Sequence, residues 1–256
     1  MNLENKVALV TGGSRGIGRA IALKLASQGA AVAVNYRSGQ SEAESVVREI
    51  TELGGKAISV QADVADIEAV RGLVETAVGQ LGGLHLLVNN AGIARDRLVM
   101  EMEPNDWLDV MLVNFGGVFN CTRVASEVFA RQREGAIVNL SSMTAERIRV
   151  GLANYAASKA AIAAFTRCCA LEMGAFGIRV NAVLPGFVPT ELVGGADAEI
   201  AKQFSRFSPL RRLTTPEDVA NAVAFLAGAD AASLTGVSLA VDGGVSVMYG
   251  PSRRQG

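Results

Sequence analysis

Val7-Ala8-Leu9-Val10-Thr11-Gly12-Gly13-Ser14-Arg15-Gly16-Ile17-Gly18 is the stretch that decides the fold. Val7–Val10 is wholly apolar, as a strand covered on both faces should be. The glycines that follow read as a tight turn, and Gly18–Ser27 carries a helical pattern. Small residues between a strand and a helix let the backbone approach a pyrophosphate, which a helix N-terminus attracts. Gly12, Ser14, Arg15, Gly16, Ile17 and Gly18 are therefore candidate phosphate contacts. The spacing is Gly-x-x-x-Gly-x-Gly, not Gly-x-Gly-x-x-Gly, and a flexible loop is the alternative reading. The position between strand and helix supports dinucleotide binding.

Outward from this turn, short apolar runs alternate with longer helical patterns. The runs are Val7–Val10, Ala31–Asn35, Ala57–Gln61, Leu84–Asn89, Ala136–Leu140, Ile178–Leu184 and Val237–Val241. Helical patterns include Glu42–Leu53, Ile67–Gly79, Trp107–Arg131 and Pro216–Ala227. Such alternation predicts an α/β chain, a Rossmann-type doubly wound sheet of seven parallel strands with helices on both faces. No linker or composition break divides it, so residues 1–247 are expected to form a single domain and 248–256 a short tail.

Bulk properties narrow the function. In 256 residues the formal net charge is −1, which does not indicate a nucleic-acid surface. No leader pattern opens the sequence, and no apolar run reaches bilayer length, so a cytoplasmic protein without a membrane partner is expected. Cys121, Cys168 and Cys169 read as small buried hydrophobes in a reducing compartment. His85, the only histidine, reads as structural, and no metal site is expected.

The strand ends carry the candidate ligand contacts. After the second strand comes Asn35-Tyr36-Arg37-Ser38, with no acid to hold the ribose hydroxyls of NAD. Arg15 and Arg37 could clamp a 2′-phosphate, or they are solvated surface groups. The missing acid and the two arginines together favour NADP(H). Asp63 and Val64 are placed to meet the adenine, with a solvent-facing turn as the alternative. Asn90, Ala91 and Gly92 stand where a ligand crevice or a simple turn would form. Asn114, in Val113-Asn114-Phe115-Gly116-Gly117, sits in a poor helix segment, so a kink exposing backbone groups is expected there. Pro185 and Gly186 stop the sixth strand.

In Asn154-Tyr155-Ala156-Ala157-Ser158-Lys159, Tyr155 and Lys159 are four apart, one turn apart on one helix face. An ammonium beside a phenol lowers its pKa and readies it for proton transfer. A half-buried tyrosine beside a solvated lysine is the alternative.

Together these residues resemble the short-chain dehydrogenase/reductase family from Lys6 to about Val247, and within it the 3-oxoacyl-[acyl-carrier-protein] reductases. The motifs are Thr11–Gly18, Asn89–Gly92, Asn114, Ser142, Tyr155 with Lys159, Pro185-Gly186 and Val241–Gly244. The resemblance implies NADPH-dependent reduction of a ketone or 3-oxoacyl thioester, with an acyl carrier protein as a partner, in a homotetramer. Tyr155 would be the general acid and Ser142 a hydrogen-bond donor to the same oxygen. Lys159 would tune Tyr155 and hold the nicotinamide ribose, and Asn114 would anchor a water. Gly186, Val188 and Thr190 would meet the nicotinamide end. Ser141 should face away from the site, and a substrate lid is expected over about 188–212. The chain departs from the carrier-protein reductases in two places. Arg133 can supply one of two basic docking residues, but Phe176 stands near the second, and the loop before Tyr155 carries Glu146, Arg147 and Arg149.

Overall fold

The structure is a computed structural model that describes residues 2–190 and 198–248. Seven strands form one parallel sheet: β1 (Val7–Val10), β2 (Ala31–Tyr36), β3 (Ala57–Gln61), β4 (Leu86–Asn89), β5 (Gly135–Leu140), β6 (Ile178–Pro185) and β7 (Ser238–Val241). Their order is β3-β2-β1-β4-β5-β6-β7. The order reverses between β1 and β4, so a crevice opens outside the carboxyl ends of these two strands. Register pairs Leu9 with both Ala33 and Leu87, and every residue of β1 and β5 is buried. That is why these strands are continuously apolar rather than alternating.

Helices cover both faces. On one lie α1 (Gly16–Ser27), α2 (Gln40–Glu52) and α8 (Pro216–Ala227), whose Ile21, Leu25, Val46, Ile50, Val219 and Val223 pack on the sheet. On the other lie α3 (Ile67–Leu81), α5 (Gly117–Gln132) and α6 (Ala153–Met173), through Leu73, Val124, Phe129 and Cys169. Local chemistry sets the boundaries. Asp66 caps α3 by accepting from Glu68 N–H at 2.9 Å, and Gly82 ends it at φ 89°. Thr215 and Asp218 form a capping box at the start of α8, with Pro216 in its first turn.

The segment expected as one helix over Trp107–Arg131 is α4 (Pro104–Met111), a π-helical turn (Leu112–Gly116) and α5. The irregularity falls on Asn114, where the poor helix formers predicted it. Of the cysteines, Cys121 and Cys169 are buried, but Cys168 is exposed. Neighbours on a helix point about 100° apart, so only one of the adjacent pair can face the core. His85 is structural: its Nδ1 accepts from Val7 N–H at 3.0 Å, fixing the start of β1 beside β4. Of the expected lid, α7 (Ala198–Phe207) is a helix, while 191–197, including Gly194 and Gly195, lie outside the described residues. So does the expected tail beyond Met248. Among the described residues, no helix is long and apolar enough to cross a membrane, and no cluster of potential metal ligands occurs.

Candidate active site

A cleft of about 520 Å³ lies at the reversal of strand order. Its walls include Gly12, Ser14, Arg15, Gly16, Ile17, Gly18, Arg37, Asp63, Val64, Asn90, Ala91, Gly92 and Thr190. Asn35, Tyr36, Ser38, Ala62, Ile93, Ala94 and Val113 complete them. Pro185, Gly186 and Val188 follow or end β6 and are not among these lining residues. Gly186 packs so closely on Asp242 that a Cβ would lie 2.8 Å from its Cα, and the side chain of Val188 joins the core.

The glycine turn is held by the side chains of Thr11, Asn35 and Asn90. Thr11 Oγ1 accepts from the N–H groups of Asn90 and Ala91 at 2.9 and 3.0 Å. Asn90 Nδ2 donates back to the carbonyls of Thr11 and Gly12 at 2.9 and 3.0 Å. Asn35 Oδ1 accepts from Gly12 N–H at 3.2 Å, while its Nδ2 donates to Ala62 O at 3.0 Å. The absent acid at the end of β2 is thus replaced by an amide that ties the turn to the end of β3. Gly12 and Gly16 have φ of 59° and 52°, and a Cβ on Gly18 would fall 2.1 Å from Gly12 O. The turn and α1 therefore lie against each other with no room for a side chain. Arg15, at the N-cap position of α1, makes no side-chain capping bond. The residues of the first turn, Gly16, Ile17 and Gly18, line the cleft, and a helix N-terminus there suits an anion. Arg37 and Asp63 face each other at its rim, 3.9 Å apart.

The second cluster is built on β5 and α6. Ser142 follows β5 in extended conformation and is buried. Thr144 donates to Ser142 Oγ through both its N–H (3.2 Å) and its hydroxyl (2.8 Å). With both acceptor sites filled, Ser142 keeps its own proton to donate, and its nearness to Tyr155 acts to lower the phenol's pKa. Nothing in the sequence pattern marks Thr144 for this role. Ser141 faces the other way and donates to Lys159 O at 2.8 Å. Lys159 is buried, donates from Nζ to Leu140 O at 2.8 Å, and lies 5.5 Å from the centre of the Tyr155 ring.

The expected lowering of the Tyr155 pKa does not occur. Burial pushes the phenol up to about 12, the Asp96 charge adds to this, and the Ser142 hydrogen bond only partly opposes it. Burial also depresses Lys159 to about 8. Loss of hydration outweighs the attraction expected between the two groups.

Asn114 joins this cluster to the cleft. It is fully buried, accepts from Ile93 N–H at 2.8 Å, and donates to Ile93 O at 3.0 Å and Ser158 Oγ at 3.2 Å. A Cβ on Gly92 would lie 3.2 Å from Asn114 Oδ1 and 3.8 Å from Lys159 Nζ, so the three residues are contiguous. Beneath them runs a buried polar ladder, in which Asn89 donates to Thr122 and Asn139, and Asn139 donates to Thr166. Asn154 donates to the carbonyls of Arg95 and Asp106, both at 3.0 Å, anchoring α6 to the loop after β4 and to α4.

The loop before Tyr155 divides its charges. Arg147 donates to the carbonyls of Ser246 and Met248. Arg149 instead lies over the Phe204 ring at 5.2 Å, and Phe204 stacks on Phe187 with centroids 4.1 Å apart. On the far surface, Arg133 donates to Ala175 O at 2.8 Å, beside the exposed Phe176.

Known proteins give this architecture its family. A family model described as "Enoyl-(Acyl carrier protein) reductase" matches residues 12–246. The chain is 46% identical over 240 residues to a 3-oxoacyl-[acyl-carrier-protein] reductase of Staphylococcus aureus, covering 94% of this chain and 98% of that one. It is 44% identical over 248 residues to a 3-oxoacyl-[acyl-carrier-protein] reductase of Synechocystis, covering 96% and 99%. The crystal structure of a dehydrogenase/reductase from Sinorhizobium meliloti superimposes with a TM-score of 0.90 at 40% identity, covering 95% of this chain and 96% of the other. With the sheet, the glycine turn and the Ser142–Tyr155–Lys159 cluster in place, these likenesses make the chain a member of the short-chain dehydrogenase/reductase family of oxidoreductases.

Proposed function

We propose that the protein is an NADPH-dependent reductase of the keto group of 3-oxoacyl thioesters, acting in the cytoplasm on acyl chains presented by a carrier protein or coenzyme A. The observation that carries this reading is the pairing of two hydroxyls, Ser142 and Tyr155, with the buried Lys159, beside a cleft whose glycine turn has no room for a side chain at Gly18. Arg15 and Arg37 on the wall of the cleft, without an acid at the end of β2, favour the 2′-phosphorylated dinucleotide. Gly12, Ser14, Gly16, Ile17 and Gly18 would hold its pyrophosphate and Asp63 and Val64 its adenine. Asn90, Ala91, Gly92, Pro185, Gly186, Val188 and Thr190 are proposed for the remainder.

When bound, the reduced nicotinamide supplies hydride to the carbonyl carbon. Tyr155 gives its proton to the carbonyl oxygen, where negative charge develops, and Ser142 donates a hydrogen bond to the same oxygen. A phenol held near 12 stays protonated throughout the physiological range, which suits a donor in the reducing direction. Lys159 places positive charge behind the phenol, stabilising the phenolate left after transfer. Asn114 positions the Ile93 segment against Lys159.

The family model's description names reduction of an enoyl group and the relatives' names reduction of a 3-oxo group. Two neighbouring hydroxyl donors, Ser142 and Tyr155, suit a single reacting oxygen, and favour the second. Exposed Leu108, Leu112 and Phe119 on α4, the π turn and α5, and Leu171 on α6, are suited to burial in a homotetramer.

Oxidation of NADPH and of NADH, measured side by side with acetoacetyl and crotonyl thioesters, tests the reading. NADPH-linked turnover of the acetoacetyl compound is expected, and turnover of crotonyl thioester alone would overturn it. Tyr155→Phe should lower kcat about 1,000-fold with dinucleotide affinity kept.

A further inference from the structure

We propose that Arg149 is a specificity-determining residue: held over the Phe204 ring, it offers the N–H donors of its guanidinium to an oxygen acceptor that the substrate carries beyond the carbonyl being reduced. This rests on the reductase reading above and names the second group that the substrate must present.

Three segments far apart in sequence meet at Arg149. The residue lies in the loop between Ser142 and Tyr155; Phe204 comes from α7; Phe187 directly follows Gly186 after β6. The guanidinium carbon sits 5.2 Å from the Phe204 centroid, and the two phenyl rings are nearly parallel, 4° apart. Attraction of a cation to a ring face takes up none of the guanidinium's hydrogen-bonding capacity towards oxygen acceptors. Among the described residues, none of those donors makes a hydrogen bond or ion pair. Arg147, two residues earlier, has its donors engaged by the carbonyls of Ser246 and Met248.

Arg149 lies in the loop that joins Ser142 to Tyr155, and Phe187, stacked on its partner Phe204, directly follows Gly186. Arg97 N–H donates to Gly151 O at 2.9 Å, and Arg97 bridges in parallel to Leu152, which lays the Asp96 segment alongside the Arg149 loop. The charge of Arg149 acts on Asp96, and that of Asp96 acts on Tyr155. On this placement the arginine borders the space where a carbonyl would meet Ser142 and Tyr155. A 3-oxoacyl thioester has a second carbonyl one methylene from its ketone, within the span of such a neighbour. A simple monoketone has none. Contact with the ring restrains the guanidinium, so less side-chain freedom is lost when it binds.

The experiment compares wild type, Arg149→Leu and Arg149→Lys with NADPH. The substrates are the N-acetylcysteamine thioester of acetoacetate and 2-pentanone, with the butanoyl thioester as an inhibitor that has the thioester carbonyl but no ketone. Arg149→Leu should raise KM for the acetoacetyl thioester, and Ki for the butanoyl thioester, about ten-fold, as loss of a charged hydrogen bond does. KM for 2-pentanone and for NADPH should stay within about two-fold, because neither depends on that bond, and Arg149→Lys should recover part of the loss. Equal rises for thioester and monoketone, or an unchanged Ki, would overturn the assignment. If wild type reduces 2-pentanone but not the thioester, the reductase reading fails; the butanoyl Ki, read against 2-pentanone reduction, then still decides whether Arg149 binds an acyl oxygen.

Discussion

The cleft at β1 and β4 and the wall formed by Arg149, Phe204 and Phe187 are neighbours built in opposite ways. In the first, hydrogen bonds of Thr11, Asn35 and Asn90 tie the glycine turn to the ends of neighbouring strands. The second is held by ring and cation–ring contacts between side chains from three segments. Hydrogen-bond networks with buried partners are costly to alter one residue at a time, whereas stacked side chains can be exchanged individually. The dinucleotide end is thus set by backbone geometry and the substrate end by replaceable side chains. One fold can then keep its chemistry while its substrates differ.

The hardest test of this contrast is Gly18→Ala. Its Cβ would lie 2.1 Å from Gly12 O, a backbone atom that cannot turn aside. We expect dinucleotide affinity to fall about 100-fold, or stability by about 3 kcal/mol, read by titration and by urea unfolding. Near-normal cofactor binding would mean the turn is softer than its bonding implies.

Lys159 lies where the two regions meet, and pH sharpens its part. Below its pKa of about 8 the ammonium is charged, and above it that charge is lost. The rate kcat/KM for reduction should therefore fall on the alkaline side with a midpoint near pH 8, about ten-fold per further pH unit. A single limb near 12 would assign the loss to Tyr155 instead.

The smallest effect is expected far from both regions. Thr215→Ala removes the cap of α8, which packs on α1 beneath the cleft. It should lower stability by about 1 kcal/mol and leave both KM values unchanged. A changed KM would mean that the cleft is less independent of its support than its bonding suggests.

Periodicity made the sheet legible, because strands buried on both faces must be apolar and the helices between them must not be. The glycine turn, Ser142, Tyr155 and Lys159 were legible because backbone space and acid–base chemistry restrict which residues can serve. The Tyr155 pKa was not, since a sequence shows a lysine nearby but not the water removed from both groups. Thr144 and Asn35 were hidden for another reason. A hydroxyl or amide that orients a neighbour leaves no spacing rule, and its role appears only once chain segments meet. Arg147 and Arg149 looked equivalent as two charges in one loop, and only their partners separate them.

The Arg147 clasp has a practical side. It grips the backbone at Ser246 and Met248, and its own N–H donates at 2.8 Å to Met143, the residue after Ser142. Anything that pulls on the carboxyl end therefore tugs on the serine. At the other end, Leu3 N–H donates to Gln28 O at the carboxyl end of α1, while the cleft lies at the opposite, amino end of that helix. A purification tag or immobilising linker belongs on that amino end, where it can be loaded without disturbing the chemistry.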